Sequence, residues 1–201
     1  MSPPNQITLL RILLTPVFLL LLFSESPLNK QLAVGVFILA ALTDWYDGYV
    51  ARKWGYITQW GKFFDPLADK VLTSAAFISF IIIGYAEWWM VLLIVLRDIC
   101  ITLLRSYAEL KNTPIDTSGF AKTKTLFQLF VIYYFLVAYI VQNSPEFLPI
   151  LYTLSKTLAT PKIMFWLMLL TTFLTLATGI SYLFYNWKII KQFFSPNEER
   201  I

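Results

Sequence analysis

The chain has 201 residues, 58% of them apolar and only 14% charged, where a soluble globule of this size carries about 25% charged residues; the composition is that of a membrane protein. With no His and one Cys, Cys100, it excludes His-based acid–base catalysis, His-ligated zinc or haem, internal disulfides and multi-thiolate metal sites. A net charge of +4 in so apolar a chain suits cytoplasmic loops and anionic lipid rather than nucleic acid.

Apolar runs occupy residues 9–23, 31–50, 71–85, 88–104, 126–141 and 164–185. A helix needs about 20 mostly apolar residues to span the hydrocarbon, so the first and third runs recruit flanking residues and the second continues into a polar helical end. Residues 1–6 lack the basic region of a secretory signal, and no cleavage site follows the first run, which is expected to stay as a helix kinked near Pro16. Trp88 and Trp89 fit an outer aromatic belt and Trp187 an inner one. Residues 142–162, with Pro145, Pro149 and Pro161, read as an external loop holding a short interfacial helix, and Cys100 reads as inert packing. The expectation is an all-α integral membrane protein with six transmembrane helices in one domain, 1–201.

Basic residues orient it. Arg11, Arg52, Lys53, Lys62, Lys70, Arg105, Lys111, Lys122, Lys124, Lys188, Lys191 and Arg200 fall on one side, and Lys30, Lys156 and Lys162 on the other. Positive loops face the cytoplasm, so both termini are expected there.

Acidic residues are sorted as well. Of six Asp, four lie within residues 44–69: Asp44 and Asp47 three apart, Asp65 and Asp69 four apart. Each spacing places two carboxylates on one helix face. Trp54-Gly55-Tyr56 and Gly61 offer a turn between the pairs, which would bring four carboxylates together in a polar cavity at the cytoplasmic edge. Such a cluster stays ionised only with cations, and two divalent ions would balance it. Oxygen-only ligation suits Mg²⁺ or Mn²⁺. Gly48 leaves backbone open to a phosphate, Arg52 can fork onto one, and Lys62 and Lys70 add positive charge. Carboxylates, divalent metals and an arginine together describe a diphosphate site.

The segment Asp44-Trp-Tyr-Asp47-Gly48-Tyr-Val-Ala51-Arg52, eight further residues, then Gly61-Lys-Phe-Phe-Asp65-Pro-Leu-Ala-Asp69 resembles the signature of the CDP-alcohol phosphotransferase family, with every fixed position filled. The resemblance implies that Asp44, Asp47 and Asp65 hold one metal and Asp44, Asp65 and Asp69 the other. It implies that Gly48, Arg52 and Thr58 contact the CDP-lipid and that Asp69 is the general base. It also implies a homodimer that draws its donor sideways from the bilayer, with no covalent enzyme intermediate.

Local features resemble the bacterial phosphatidylglycerophosphate-forming branch, which implies a multi-pass protein of the bacterial cytoplasmic (inner) membrane. They are Pro4-Asn5-Gln-Ile-Thr8-Leu-Leu-Arg11, Arg97-Asp98 with Leu104-Arg105, and Gly119-Phe-Ala-Lys122-Thr-Lys124-Thr125. Asp98 stands where that branch has Glu, and the spacing between Gly119 and Lys122 is longer. Asn5, Thr8, Gly61 and Lys62 then join the CDP-diacylglycerol site. The implied acceptor, sn-glycerol 3-phosphate, is dianionic and needs further cations. Arg97 and Arg105 lie about 80° apart around a helix, with Arg97 about 12 Å deeper. A buried Arg there should line a polar cavity or pair, for instance with Asp98. Lys122 and Lys124 either complete the anion pocket or face anionic lipid.

Two alternatives stand beside this reading. One is the same chemistry with inositol phosphate, serine or phosphatidylglycerol as acceptor. The other is a cation transporter, which would spread its acids through the membrane depth instead of clustering them at one edge.

Overall fold

The computed structural model describes residues 3–54, 59–111, 113, 119–146 and 149–194, with side chains for all of these except 3–8, 44–54, 59–65, 119–122, 188 and 192–194. The described chain is wholly helical: α1 Pro3–Leu22, α2 Pro27–Trp54, α3 Gln59–Ile83, α4 Trp88–Leu110, α5 Gly119–Asn143, α6 Pro149–Leu158, α7 Pro161–Tyr185 and α8 Trp187–Phe194. Each apolar run falls in one of the longer helices. α1 continues through Pro16 without a break. The polar extension of the second run is helical to Trp54, and the short helix expected within residues 142–162 is α6.

Helix ends follow local chemistry. Gly84 closes α3 with φ +84°, a conformation only glycine adopts freely, and the amide of Tyr85 donates back to the Phe80 carbonyl at 2.8 Å. The resulting tight turn returns α4 against α3. Thr160 caps α7 by accepting from the Ile163 amide, with Pro161 in the first helical turn.

Packing divides the bundle into two ends. α1 lies on α2 and α3, α3 on α4, α4 on α7, and α5 on α7 and α6. One end is filled by aromatic rings: Phe18 meets Phe37 at 5.3 Å between centroids, and Phe80 meets Phe135 at 5.1 Å. The opposite end buries polar groups instead, among them Arg11, Asp98, Lys124, Gln128, Thr175 and Thr178.

The outer surface is apolar. Leu20, Ile82, Leu126, Phe173 and Phe184 are all more than two-thirds exposed, an arrangement stable against lipid and not against water. Among the described residues, Pro66–Ile83, Thr123–Asn143 and Pro161–Tyr185 are long and apolar enough to cross a membrane, with shorter apolar stretches at Leu9–Leu22 and Pro27–Thr43. α4 does not qualify on composition, because Arg97, Asp98 and Arg105 interrupt it. Cys100 is exposed on α4 and so is not core packing.

Candidate active site

The two Asp pairs sit where two helices approach one short connection. Asp44, Asp47, Gly48 and Arg52 belong to the C-terminal part of α2, and Gly61, Lys62, Asp65 and Asp69 to the N-terminal part of α3. Gly61 and Trp54 are therefore helical, and residues 55–58 lie outside the described residues. Thr58 and the side chains of Asn5, Thr8, Asp44, Asp47, Arg52, Lys62, Asp65 and Lys122 lie outside the described residues. The expected convergence of four carboxylates falls largely there as well.

Asp69 is described, and its surroundings are informative. Its Oδ2 accepts from Lys70 Nζ at 2.8 Å, and its side chain is 32% exposed. It lines a cavity of about 700 Å³ walled by Pro66, Asp69 and Lys70 of α3, the Arg97–Glu109 stretch of α4, Lys124 to Leu126 of α5, and Tyr182 of α7. A partly open carboxylate on a cavity wall that carries several charged side chains, already attracting a cation, is the kind of hard oxygen donor that suits a divalent ion.

The deeper wall of the same cavity is cationic. Asp98, on α4, is its hub: Oδ1 accepts from Lys124 Nζ at 2.5 Å and Arg97 Nη1 at 3.1 Å, while Oδ2 accepts from Gln128 Nε2 at 3.2 Å. Arg97 Nη2 donates to Thr178 Oγ1 at 3.1 Å, and Gln128 reaches Thr175 at 3.5 Å. Three helices, α4, α5 and α7, are thus tied by one buried polar network. A buried charge far from water is tolerable only when paired and hydrogen-bonded in this way. Arg105, on the same side of α4, is exposed at the cavity wall.

Arg97, Lys124 and Arg105 stand against two carboxylates, Asp98 and Glu109, so this part of the cavity keeps a net positive charge. A guanidinium has five N–H donors, and the contacts to Asp98 and Thr178 leave Arg97 able to bind more. Its Nε and the hydroxyl of Tyr182 are buried with no hydrogen-bond partner. A net positive charge on the wall of a cavity describes a place for an anion.

Several of these residues escape a reading of sequence alone. Asp98 stands out there as the neighbour of Arg97 in the branch motif and its possible partner, and Gln128, Thr175, Thr178 and Tyr182 not at all. A signal does exist: Thr171, Thr175, Thr178 and Tyr182 recur at helical spacing in an apolar run, and all four are buried. Two of the cations counted for orientation, Lys124 and Arg11, are buried inside the helical bundle. Lys124 is 5% exposed on Asp98, and Arg11 is 1% exposed with Nε donating to the Ala40 carbonyl at 3.4 Å.

Residues 1–180 match the model of the CDP-alcohol phosphatidyltransferase family. The chain belongs to that family. It is similar to the CDP-diacylglycerol–glycerol-3-phosphate 3-phosphatidyltransferase of Bacillus subtilis, at 32% identity over 94% of this chain and 96% of that one. Proteins of the same name from Rickettsia bellii and Escherichia coli are each 37% identical, over 64% and 63% of this chain respectively and 71% of their own length. Family membership implies divalent-metal use.

Proposed function

We propose that this protein transfers the phosphatidyl group of CDP-diacylglycerol to sn-glycerol 3-phosphate, forming phosphatidylglycerophosphate and releasing CMP. The observation that carries the reading is the shared cavity: Asp69 of the family signature opens into the same space as Arg97, Arg105 and Lys124. A base for the acceptor hydroxyl and cations for the acceptor phosphate are thereby offered to one small molecule. The names of the relatives supply the same donor and acceptor.

In this reading Gly48, Arg52 and Thr58, with Asn5, Thr8, Gly61 and Lys62, hold the CDP-lipid. Asp44, Asp47 and Asp65 would hold one divalent cation, and Asp44, Asp65 and Asp69 a second, Mg²⁺ or Mn²⁺. Bound there, the two ions supply charge neutralisation on the diphosphate. Arg97, Arg105, Lys122 and Lys124 bind the phosphate of the acceptor and aim its hydroxyl at Asp69. Asp69 accepts the hydroxyl proton, the freed oxygen attacks the lipid-linked phosphorus, and the bond from that phosphorus to CMP breaks. Positioning and electrostatics supply the rate, without a nucleophilic side chain.

The reading places α1 to α5 and α7 across the membrane as six spans of one domain, 1–201, with α6 and α8 at the two interfaces. Both termini then face the cytoplasm of a bacterial inner membrane, and the protein acts as a homodimer. α4 crosses despite its charges because Asp98 is satisfied from α4 and α5 and Arg97 from α4 and α7.

An acceptor panel tests the proposal. Purified protein is given CDP-diacylglycerol and Mg²⁺ with glycerol 3-phosphate, inositol phosphate, serine or phosphatidylglycerol, and CMP release is scored. Release with glycerol 3-phosphate is expected; release only with another alcohol overturns the acceptor assignment.

A further inference from the structure

Gly179 lies on α7 one residue after Thr178, and its surroundings are unusual. A Cβ built on it would fall 2.8 Å from Arg97 Nε, 2.9 Å from Arg97 Cγ and 3.4 Å from Arg97 Cδ. The first two distances are shorter than side-chain atoms tolerate, so the stem of Arg97 rests directly on bare helix backbone. By contrast, a Cβ on Gly35 would meet nothing within 4 Å.

The stem has little freedom to yield. It is anchored at one end by the backbone of α4. At the other end Nη1 holds Asp98 at 3.1 Å and Nη2 holds Thr178 at 3.1 Å. The side chain is only 14% exposed, so it has little solvent-facing room to swing into. Nε has no hydrogen-bond partner in this position, a cost accepted for the sake of where the fork ends up. A methyl group at residue 179 would lift the stem, break one or both fork contacts, and displace the guanidinium from the cavity wall.

We propose that Gly179 is a positioning residue for the acceptor: the bare backbone it presents sets the path of Arg97, and through Arg97 the affinity for the acceptor phosphate. The proposal rests on the reading of Arg97 as an acceptor ligand. It deepens that reading by giving α7, which carries none of the family-signature residues, control over the acceptor pocket.

A double-mutant cycle tests it, using Gly179→Ala, Arg97→Ala and the double variant in the full-length protein. Expected for Gly179→Ala is a rise of about tenfold in KM for glycerol 3-phosphate, with KM for CDP-diacylglycerol unchanged. In the Arg97→Ala background the same glycine change should add nothing, because the clashing side chain is gone. If Gly179→Ala proves poorly folded, the proposal requires the double variant to regain the thermal stability of Arg97→Ala. An unchanged acceptor KM in well-folded Gly179→Ala, a fully additive cycle, or no recovery of stability in the double variant overturns the proposal. If Arg97→Ala itself leaves the acceptor KM unchanged, the underlying reading of Arg97 fails, and the proposal with it. If Arg97→Ala raises that KM and Gly179→Ala does not, the proposal alone fails.

Discussion

Lys124 of α5 places its ammonium 2.5 Å from Oδ1 of Asp98 on α4, and both side chains are more than nine-tenths buried. Neither charge would be tolerable there alone. The pair is not a simple stabiliser, since an apolar replacement of both partners would cost less to desolvate. Its effect is geometric: Asp98 is held from α5 so that it can in turn hold Arg97 beside the cavity.

Asp98 and Lys124 should therefore differ in what their loss costs. Asp98→Ala leaves Arg97 and Lys124 buried without a counter-charge and should destabilise by about 3–5 kcal/mol. Lys124→Met leaves Asp98 its contacts to Arg97 and Gln128, and should cost less. Thermal unfolding in detergent measures both; a larger loss for Lys124→Met would contradict the role of Asp98 as hub.

Asp69→Asn should lower kcat by about 10²-fold or more while CDP-diacylglycerol binding persists. Turnover near the wild-type rate would exclude Asp69 as the base.

Lys70 occupies one oxygen of Asp69 at 2.8 Å, so it competes with any cation that needs that carboxylate. Lys70→Met should lower the half-saturating Mg²⁺ concentration by up to about fivefold, the scale of a partly exposed ion pair. An increase in the Mg²⁺ requirement would show that Lys70 assists the site.

Arg97→Ala should raise KM for glycerol 3-phosphate by about 10- to 100-fold, the scale of a charged hydrogen bond lost from a buried site. The exposed Arg105 should give a smaller rise when changed to Ala, because water screens its charge. KM for the lipid donor should move little in either variant; equal effects on both substrates would place these residues outside the acceptor pocket.

Gly84 has φ +84° at the α3–α4 turn, with open space around it. Gly84→Ala should cost about 1 kcal/mol from backbone strain alone, lowering Tm by about 2–4 °C. An unchanged Tm would mean the turn adjusts without penalty.

Much of this architecture is legible in the order of residues. Apolar runs mark the long helices because each must meet lipid or its neighbours along its whole length, and the Asp spacing marks α2 and α3 as carriers of paired acids. Proline placement anticipates α6. The buried network is harder to read, because it is made by side chains distant in sequence. Asp98 and Lys124 are 26 residues apart, and Arg97 and Thr178 are 81 apart. Lys124 reads as a loop cation until α5 is seen to carry it inward, and Gly179 reads as an ordinary glycine until Arg97 is found lying on it.

The most direct test follows radiolabelled sn-glycerol 3-phosphate into lipid. With CDP-diacylglycerol and Mg²⁺, the purified protein should convert the label to a chloroform-soluble product, releasing one CMP for each label incorporated. Asp69→Asn should lower both signals by about 10²-fold or more. Label remaining in the aqueous phase while CMP is released would contradict glycerol 3-phosphate as the acceptor, and no CMP release with any acceptor would contradict the transferase itself.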